Sequence, residues 1–357
     1  MNLNFLFLKT IRILLLPVSF IYALIIILRN WCYDLGIAGS TSFNLPLICV
    51  GNLAAGGTGK SPMVEWLIKK LKDQFDIAIL SRGYKRKTSG YALADEDDTA
   101  LDIGDEPMQF KIKFPDVSIA VGEERVVAIP QLLHDRPGTK AIILDDAFQH
   151  RSVKAGMNIL LTDINNLFTR DWFLPTGDLR DQKRSYKRAD IIVVTKCDPE
   201  LSLKERNDII REIKPLPTQE VFFSYIRYGA PYHIINKDPF PLNNTMEILL
   251  VSGIANPGPL KKFIDEKTDA YYELDYSDHY IFSIDDLKYI VKKFEAIPAS
   301  NKIILTTEKD AVRLTKFALE MKNLPFYVIP IESGFLFQEE KRFTEIVVSF
   351  IKDFKYR

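Results

Sequence analysis

GNLAAGGTGKSP, residues 51–62, decides how the chain is read. Glycines crowd the stretch up to Gly59, and Lys60, Ser61 and Pro62 follow. The run LPLICV (45–50) before it is apolar and strand-like. The run PMVEWLIKKLKDQ (62–74) after it repeats apolar residues at helical spacing, with Pro62 expected at the first helical position. A strand, a glycine-rich turn and a helix opening at Lys-Ser are the setting of a phosphate-binding P-loop. Glycines let backbone N–H groups converge on phosphate oxygens, and the helix N-terminus adds its partial positive charge. On this reading Ala55, Gly56, Gly57, Thr58, Gly59, Lys60 and Ser61 bind the nucleotide. Lys60 reaches the β/γ-phosphates, and the Ser61 hydroxyl binds Mg²⁺. The strict spacing G-x-x-x-x-G-K-[ST] asks for glycine at 54, where the chain has Ala54; Gly56 and Gly57 are expected to supply the turn instead.

The stretch AIILDDAFQH (141–150) is the expected partner. An apolar strand ending in acids brings a carboxylate beside the metal of a bound Mg-nucleotide. Asp145 and Asp146 fall on opposite faces if the strand continues, so one of them is expected to reach the metal directly. A pair of helix-capping aspartates is the plainer alternative.

Around these two stretches, short apolar runs alternate with amphipathic ones. DIAIL (76–80), VSIAV (117–121) and ADIIVVTK (189–196) read as strands, with a helix expected over 123–134. A second series follows with MEILLVSG (246–253), KIILTT (302–307) and FYVIPI (326–331), and a helix near 338–354. EVFFSYI (220–226) is expected to link the halves, and Pro215, Pro217, Pro231, Pro239 and Pro241 mark a hinge region. The expected fold class is α/β: a P-loop-type, mostly parallel sheet lobe over 36–218, plus a second, smaller α/β lobe over 219–357 closing a cleft.

Residues 1–35 stand apart. ILLLPVSFIYALIIIL (13–28) carries no charge, Lys9 and Arg12 precede it, and Arg29 follows. The run is a little short of the roughly 18–20 residues that cross a bilayer, and Leu6, Phe7 and Leu8 would lengthen it if Lys9 and Arg12 snorkel. A membrane helix is the preferred reading. A signal peptide lacks an A-x-A cleavage site here, and a buried soluble helix is the bland alternative.

Totals narrow the class further. The 357 residues suggest about two domains, and a 47% hydrophobic content is too high for a disordered chain. Lys+Arg and Asp+Glu both number 47, so overall charge gives no support to nucleic-acid binding. The three cysteines, Cys32, Cys49 and Cys197, form no CxxC pair, which argues against a zinc site or a disulfide framework.

VGNLAAGGTGKSP, LSRGY (80–84), IGDEP (103–107), LDDAFQHR (144–151), LPTGDLR (174–180), SGIANP (252–257), SDHY (277–280) and TTEKDAVRL (306–314) together resemble, in order, the signature blocks of the tetraacyldisaccharide 4'-kinase (lipid A 4'-kinase) family. The resemblance implies ATP and Mg²⁺ as cofactors, and transfer of the γ-phosphate to the 4'-hydroxyl of an acylated glucosamine disaccharide 1-phosphate. It implies a bacterial inner-membrane location, with the catalytic lobes on the cytoplasmic side, in contact with the membrane surface and the lipid substrate. No nucleic-acid or protein partner is expected. By the same resemblance Asp105 and His279 act together as the base that accepts the hydroxyl proton, and a carboxylate bonded to an imidazole fixes its tautomer and raises its basicity. Lys60, Arg180 and Asp146 complete the expected catalytic group, with Arg180 neutralising phosphoryl charge. Ser61, Asp145, Asp146 and Glu106 are the metal candidates. Arg82, Gln149 and His150 are the substrate candidates, Arg82 toward the 1-phosphate. The family's glycine-rich continuation after this arginine reads YKRK (84–87) here, which adds positive charge instead.

Two other readings compete. VVTKCD (193–198) resembles the base-reading loop of GTPases, with Asp198 as the reader; nucleotide preference tests this. A membrane-anchored nucleotide-binding module without transfer chemistry is the other, and turnover dependent on Asp105 excludes it.

Overall fold

The computed structural model describes residues 12–355. Lys9 and the extension through Leu6, Phe7 and Leu8 lie outside the described residues. Two sheets organise the chain. The larger has nine strands in the order β14-β8-β7-β6-β1-β5-β2-β4-β3. Its strands are β1 (Leu47–Asn52), β2 (Ile77–Ser81), β3 (Ala92–Leu93), β4 (Ser118–Val121), β5 (Ala141–Asp145), β6 (Met157–Asp163), β7 (Ile191–Thr195), β8 (Glu220–Tyr228) and β14 (Ile331–Phe335). Pairing is parallel from β8 through to β4 and antiparallel only at the two edges, β14 and β3. The smaller sheet runs β11-β10-β12-β13-β9, with β9 (Tyr232–His233), β10 (Glu247–Ser252), β11 (Ala270–Asp275), β12 (Lys302–Thr307) and β13 (Phe326–Ile329).

Continuous burial of β1, β2, β5 and β7 explains their unbroken apolar runs, because helices cover both faces of a parallel sheet. The Lys60–Leu71 helix covers one face, burying Met63, Val64, Trp66, Leu67, Ile68 and Leu71. Each such side chain contributes about 1.5–3 kcal/mol when fully buried. Its first residue is Lys60, so Pro62 is the third helical position rather than the first. A proline is accepted there because N–H groups of the first turn have no intrahelical partner.

The segment expected as a link, 220–226, is instead part of β8, paired in parallel with β7. After the smaller sheet the chain returns to the larger one. β14 pairs with β8, and the Glu340–Lys352 helix packs Phe343, Val347 and Ile351 into the core under Trp66. Segment 219–357, expected as one second unit, therefore contributes to both sheets. Phe222 and Phe223 are the physical reason: both are buried within the large-sheet cores, where their alternation places one on each face.

The apolar N-terminal run forms the Leu16–Asp34 helix, which is long and apolar enough to cross a membrane. It runs past Leu28, the last residue of the uncharged run, to Asp34, within the expected 1–35 segment. One side rests on the protein through polar contacts. Ser19 Oγ donates to Thr176 Oγ1 at 2.7 Å, Tyr22 Oη to the Arg180 carbonyl at 3.2 Å, and Asn30 Nδ2 to Asp181 Oδ1 at 2.7 Å. The rest of its surface leaves Val18, Phe20, Ile21, Leu24, Ile25, Leu28 and Trp31 exposed.

Candidate active site

Parallel strands end at a common edge, and in such sheets ligands gather beyond the carboxyl ends. Here Asn52 closes β1, Ser81 closes β2, Asp145 closes β5 and Thr195 closes β7. The smaller sheet presents its own strand ends: Gly253 follows β10, His279 follows β11, and Lys309 and Arg313 follow β12 on the Glu308–Leu314 helix.

The loop after β1 takes two left-handed turns, at Gly56 (φ +100°) and Gly59 (φ +82°). A Cβ at Gly56 or Gly57 would meet only open space, so here glycine answers to backbone shape and to approach from outside. Ala54 explains the departure from the strict spacing. It is not among the positive-φ residues and bridges Leu179 as short antiparallel backbone, so it needs no glycine. The Thr58 carbonyl accepts from Thr195 Oγ1 at 2.9 Å, which ties the loop to the end of β7. Ala55 is fixed by its N–H, donated to the Asp178 carbonyl at 2.6 Å.

Lys60 turns inward. Its Nζ donates to Asn52 Oδ1 at 3.3 Å and lies 3.7 Å from Asp146 Oδ1. Burial lowers its pKa, and Asp146 opposes that. Arg180 binds the same two partners, donating to Asn52 Oδ1 and, through both terminal nitrogens, to the Asp146 carboxylate. Asp146 holds φ +49°, a conformation rare for a residue with a side chain and frequent at functional sites. Burial pushes its carboxyl up, but Lys60 and Arg180 outweigh burial and hold it at about 2.

Asp145 differs in every respect. Its Oδ2 accepts from Ser81 Oγ at 2.8 Å, while Oδ1 is buried with no hydrogen-bond partner. Burial, and then the charge of Asp146, push it up to about 6.

On the facing side, the Asp105–Lys113 helix starts at Asp105 itself, with Gly104 (φ +97°) as its cap. A Cβ at Gly104 would lie 3.2 Å from Gly83 backbone, so the turn requires glycine twice over. Asp105 Oδ2 accepts from His279 Nδ1 at 2.8 Å, and from Arg313 at 2.7 Å and 3.0 Å. Burial raises the Asp105 carboxyl, but these hydrogen bonds hold it below the usual carboxylate range. His279 sits at φ +60°, a second strained residue. Glu106 accepts from Lys309 Nζ at 3.1 Å; burial raises it, and Lys309 brings it below its ordinary value.

The remaining candidates divide. Gln149 Nε2 donates to the Asn52 carbonyl at 2.6 Å. Burial, then Arg125 and Arg82, depress His150 to about 4, so it is neutral at pH 7. Arg82 is exposed just after β2, and Ser61 is half-buried on the first helical turn. Among the described residues no cluster of three or more His, Cys, Asp or Glu has the arrangement of a metal cage.

Sequence reasoning missed Asn52, Lys309 and Arg313. Asn52 was readable as the polar residue ending an apolar strand just before the glycine loop. Lys309 and Arg313 lie four apart on one helical face, a spacing legible in EKDAVRL once a helix is assigned there.

The chain matches the family model for tetraacyldisaccharide-1-P 4'-kinase over residues 11–352. It is 43% identical over 353 residues to a tetraacyldisaccharide 4'-kinase of Parabacteroides distasonis, covering 95% of this chain and 94% of that protein. It is 41% identical over 353 residues to that of Bacteroides thetaiotaomicron, covering 95% and 93%. A crystal structure of LpxK from Aquifex aeolicus in complex with ATP superposes with a TM-score of 0.74 at 27% identity, over 96% of this chain and 99% of that one.

Proposed function

The chain belongs to the tetraacyldisaccharide-1-P 4'-kinase family, and from that premise we infer how its residues divide the reaction. It is an ATP-dependent kinase that phosphorylates the 4'-hydroxyl of a tetraacylated disaccharide 1-phosphate in lipid A biosynthesis. The observation that carries the residue assignment is the meeting of Asp105 with His279 across the two sheets, opposite the loop that carries Lys60.

The loop 55–61 cradles the ATP phosphates. Lys60 and Arg180, held by Asn52 and Asp146, neutralise charge on the transferred group. Preorganised cations of this kind supply most of what phosphoryl transfer asks of a protein. Asp105 orients His279, and the pair accepts the proton of the 4'-hydroxyl. Arg82 meets the substrate 1-phosphate, with Gln149 and His150 lining the approach.

Mg²⁺ fits the chemistry of the donor set. Asp145 Oδ1 is a buried carboxylate oxygen without a partner, with Ser61, Asp146 and Glu106 as further candidates. The absence of a full protein cage among the described residues suits an ion that keeps waters and substrate phosphates as ligands. The ion would neutralise phosphate charge there.

We propose that the Leu16–Asp34 helix anchors the enzyme at the cytoplasmic face of the inner membrane. Its polar contacts along one side favour a helix lying in the interface, with its apolar side in one leaflet, over a spanning helix.

Transfer from γ-labelled ATP to the detergent-dispersed lipid, with GTP in parallel, tests the whole. Lys60→Ala is expected to abolish nearly all turnover. Asp105→Ala is expected to lose turnover while keeping ATP affinity. Full activity in K60A removes the loop assignment, and loss of ATP binding in D105A makes Asp105 a phosphate or metal ligand. Preference for GTP revives Asp198 as a base reader.

A further inference from the structure

Three charged side chains that the reaction leaves unused meet where the two sheets join. Lys113 Nζ donates to Glu65 Oε2 and to Glu308 Oε1, each at 2.6 Å. Both carboxylates are buried, and Lys113 exposes 19% of its side chain. No other cation among the described residues pairs with either of them. The remaining oxygens are taken as well. Glu65 Oε1 accepts from Gln109 Nε2 at 2.7 Å, and Glu308 Oε2 accepts from the Ile331 N–H at 3.1 Å. Burial lowers the Lys113 pKa, but Glu65 and Glu308 outweigh burial and hold it above its ordinary value, so the shared cation stays charged.

Each member comes from a different element. Glu65 lies on the Lys60–Leu71 helix, five residues after Lys60. Lys113 closes the helix that Asp105 opens, about 12 Å away along the axis. Glu308 opens the Glu308–Leu314 helix, just ahead of Lys309. Ile331 is the first residue of β14, where the chain returns to the larger sheet. The Asp105–Lys113 helix therefore meets the smaller-sheet side at both of its ends. At its start, Asp105 and Glu106 contact His279, Arg313 and Lys309, the end that substrate approaches. At its finish, Lys113 contacts Glu308 beside the chain crossing and takes no part in the chemistry.

We propose that Lys113 is a positioning residue: with Glu65 and Glu308 it forms a pivot pin that holds the smaller sheet at a set distance from the phosphate loop while the Asp105 end opens and closes on substrate. The proposal rests on the function above for which groups must converge. Separating the three would leave a buried charge without its partner, which is strongly unfavourable, so the pinned end resists parting. Lysine suits a pivot. Its ammonium is a compact charge with rotatable donors on a flexible stem, so it can keep both carboxylates as the helices turn, whereas a planar guanidinium fixes one angle.

The test uses the full-length protein with nitroxide labels at Asp73→Cys and Lys288→Cys, two exposed positions. Asp73 follows the Lys60–Leu71 helix, and Lys288 lies on the Ile284–Glu295 helix that packs on the smaller sheet. Cys32→Ser removes the one partly exposed native thiol among the described residues. Pulsed EPR reads the distance distribution between the labels, alongside kcat for transfer to the lipid and Kd for ATP. The variants are Lys113→Met, which removes the cation, and Glu308→Gln, whose amide has one acceptor oxygen and cannot serve both Lys113 and the Ile331 N–H. Both are expected to broaden or shift the distribution by several Å and to lower kcat tenfold or more, with Kd for ATP within twofold of wild type. A merely structural cluster would reduce the yield of folded protein and leave the distribution of what folds unchanged. An unmoved distribution, wild-type kcat with a moved one, or an ATP affinity that falls in step with kcat overturns the proposal; E308Q decides alone if K113M does not fold. His279→Gln keeps the two layers apart. It is expected to lose turnover with the wild-type distribution, and if it keeps wild-type kcat the base reading fails while the pin is still judged on K113M and E308Q.

Discussion

Asp145 and Asp146 are adjacent in sequence and opposite in state: burial with one hydroxyl contact pushes Asp145 up to about 6, while Lys60 and Arg180, against burial, hold Asp146 at about 2. Neighbouring carboxylates with separated pKa values take separate tasks. Asp146 is already neutralised by the cations it orients. Asp145 keeps a free oxygen.

The first prediction follows from that oxygen. An acid raised to about 6 is largely protonated below that pH and cannot ligate a cation well. The Mg²⁺ concentration giving half-maximal turnover should therefore rise several-fold between pH 7.5 and 5.5, beyond the shift in Mg²⁺ binding that free ATP itself shows. Metal titration at both pH values checks this. A requirement that does not change separates Asp145 from the metal. The sign for stability is opposite in the two residues. Ionised Asp145 costs stability above about pH 6, so Asp145→Asn should raise the melting temperature of the nucleotide-free enzyme at pH 8. Asp146 contributes stability above its unfolded value near 3.8, which is lost as pH falls toward 2.

Asn52 is the joint between the two cations. Its Oδ1 receives both Lys60 and Arg180, and hydrogen bonds from charged donors are worth about 1.5–3 kcal/mol. Asn52→Ala should lower kcat/KM for ATP by about 10- to 100-fold with little change in melting temperature. Steady-state kinetics decide the matter, and unchanged constants would mean the two cations position themselves.

Ile21, Leu24 and Leu28 lie on one exposed side of the Leu16–Asp34 helix, away from Ser19, Tyr22 and Asn30. Replacing the three with serine removes about 1.5–3 kcal/mol of apolar burial per residue if that side enters lipid. Vesicle binding should fall by about two orders of magnitude or more, while activity on detergent-dispersed substrate persists. Equal loss in both assays would assign the helix a folding role instead.

Phe343, from the last helix, is fully buried among Trp66, Phe222 and Phe335, with ring centroids 5.2, 5.0 and 4.7 Å away. Phe343→Ala should cost about 3–5 kcal/mol in denaturant unfolding. A cost under 1 kcal/mol would show that this helix packs only loosely on the Lys60–Leu71 helix.

Much of this was legible in the sequence because local chemistry and global fold agree there. The run into Gly59-Lys60-Ser61 folds as strand, left-handed turn and helix, and the β5 strand ends at the expected acids. What escaped depended on partners distant in sequence. EVFFSYI reads like any buried strand, and nothing within it says which sheet it joins; Phe335 and Phe343, more than a hundred residues later, do. Arg313 sits within a block that resembled the family, but its contact with Asp105, 208 residues earlier and 2.7 Å away, exists only in the folded chain. Pro62 is the third helical residue rather than the first because apolar spacing marks where burial begins, whereas the helix itself begins at Lys60.

The smaller sheet is entered just after Tyr228 and left just before Ile331, and the two crossings are bonded to each other, Gly229 N–H to the Pro330 carbonyl at 2.9 Å. Residues 230–329 thus leave and rejoin the larger sheet at neighbouring points. The β8–β14 pair is the ribbon that joins this segment to the larger sheet. His279 and Arg313 ride on the far side of that ribbon. A displacement of that segment therefore carries His279 and Arg313 together relative to Lys60.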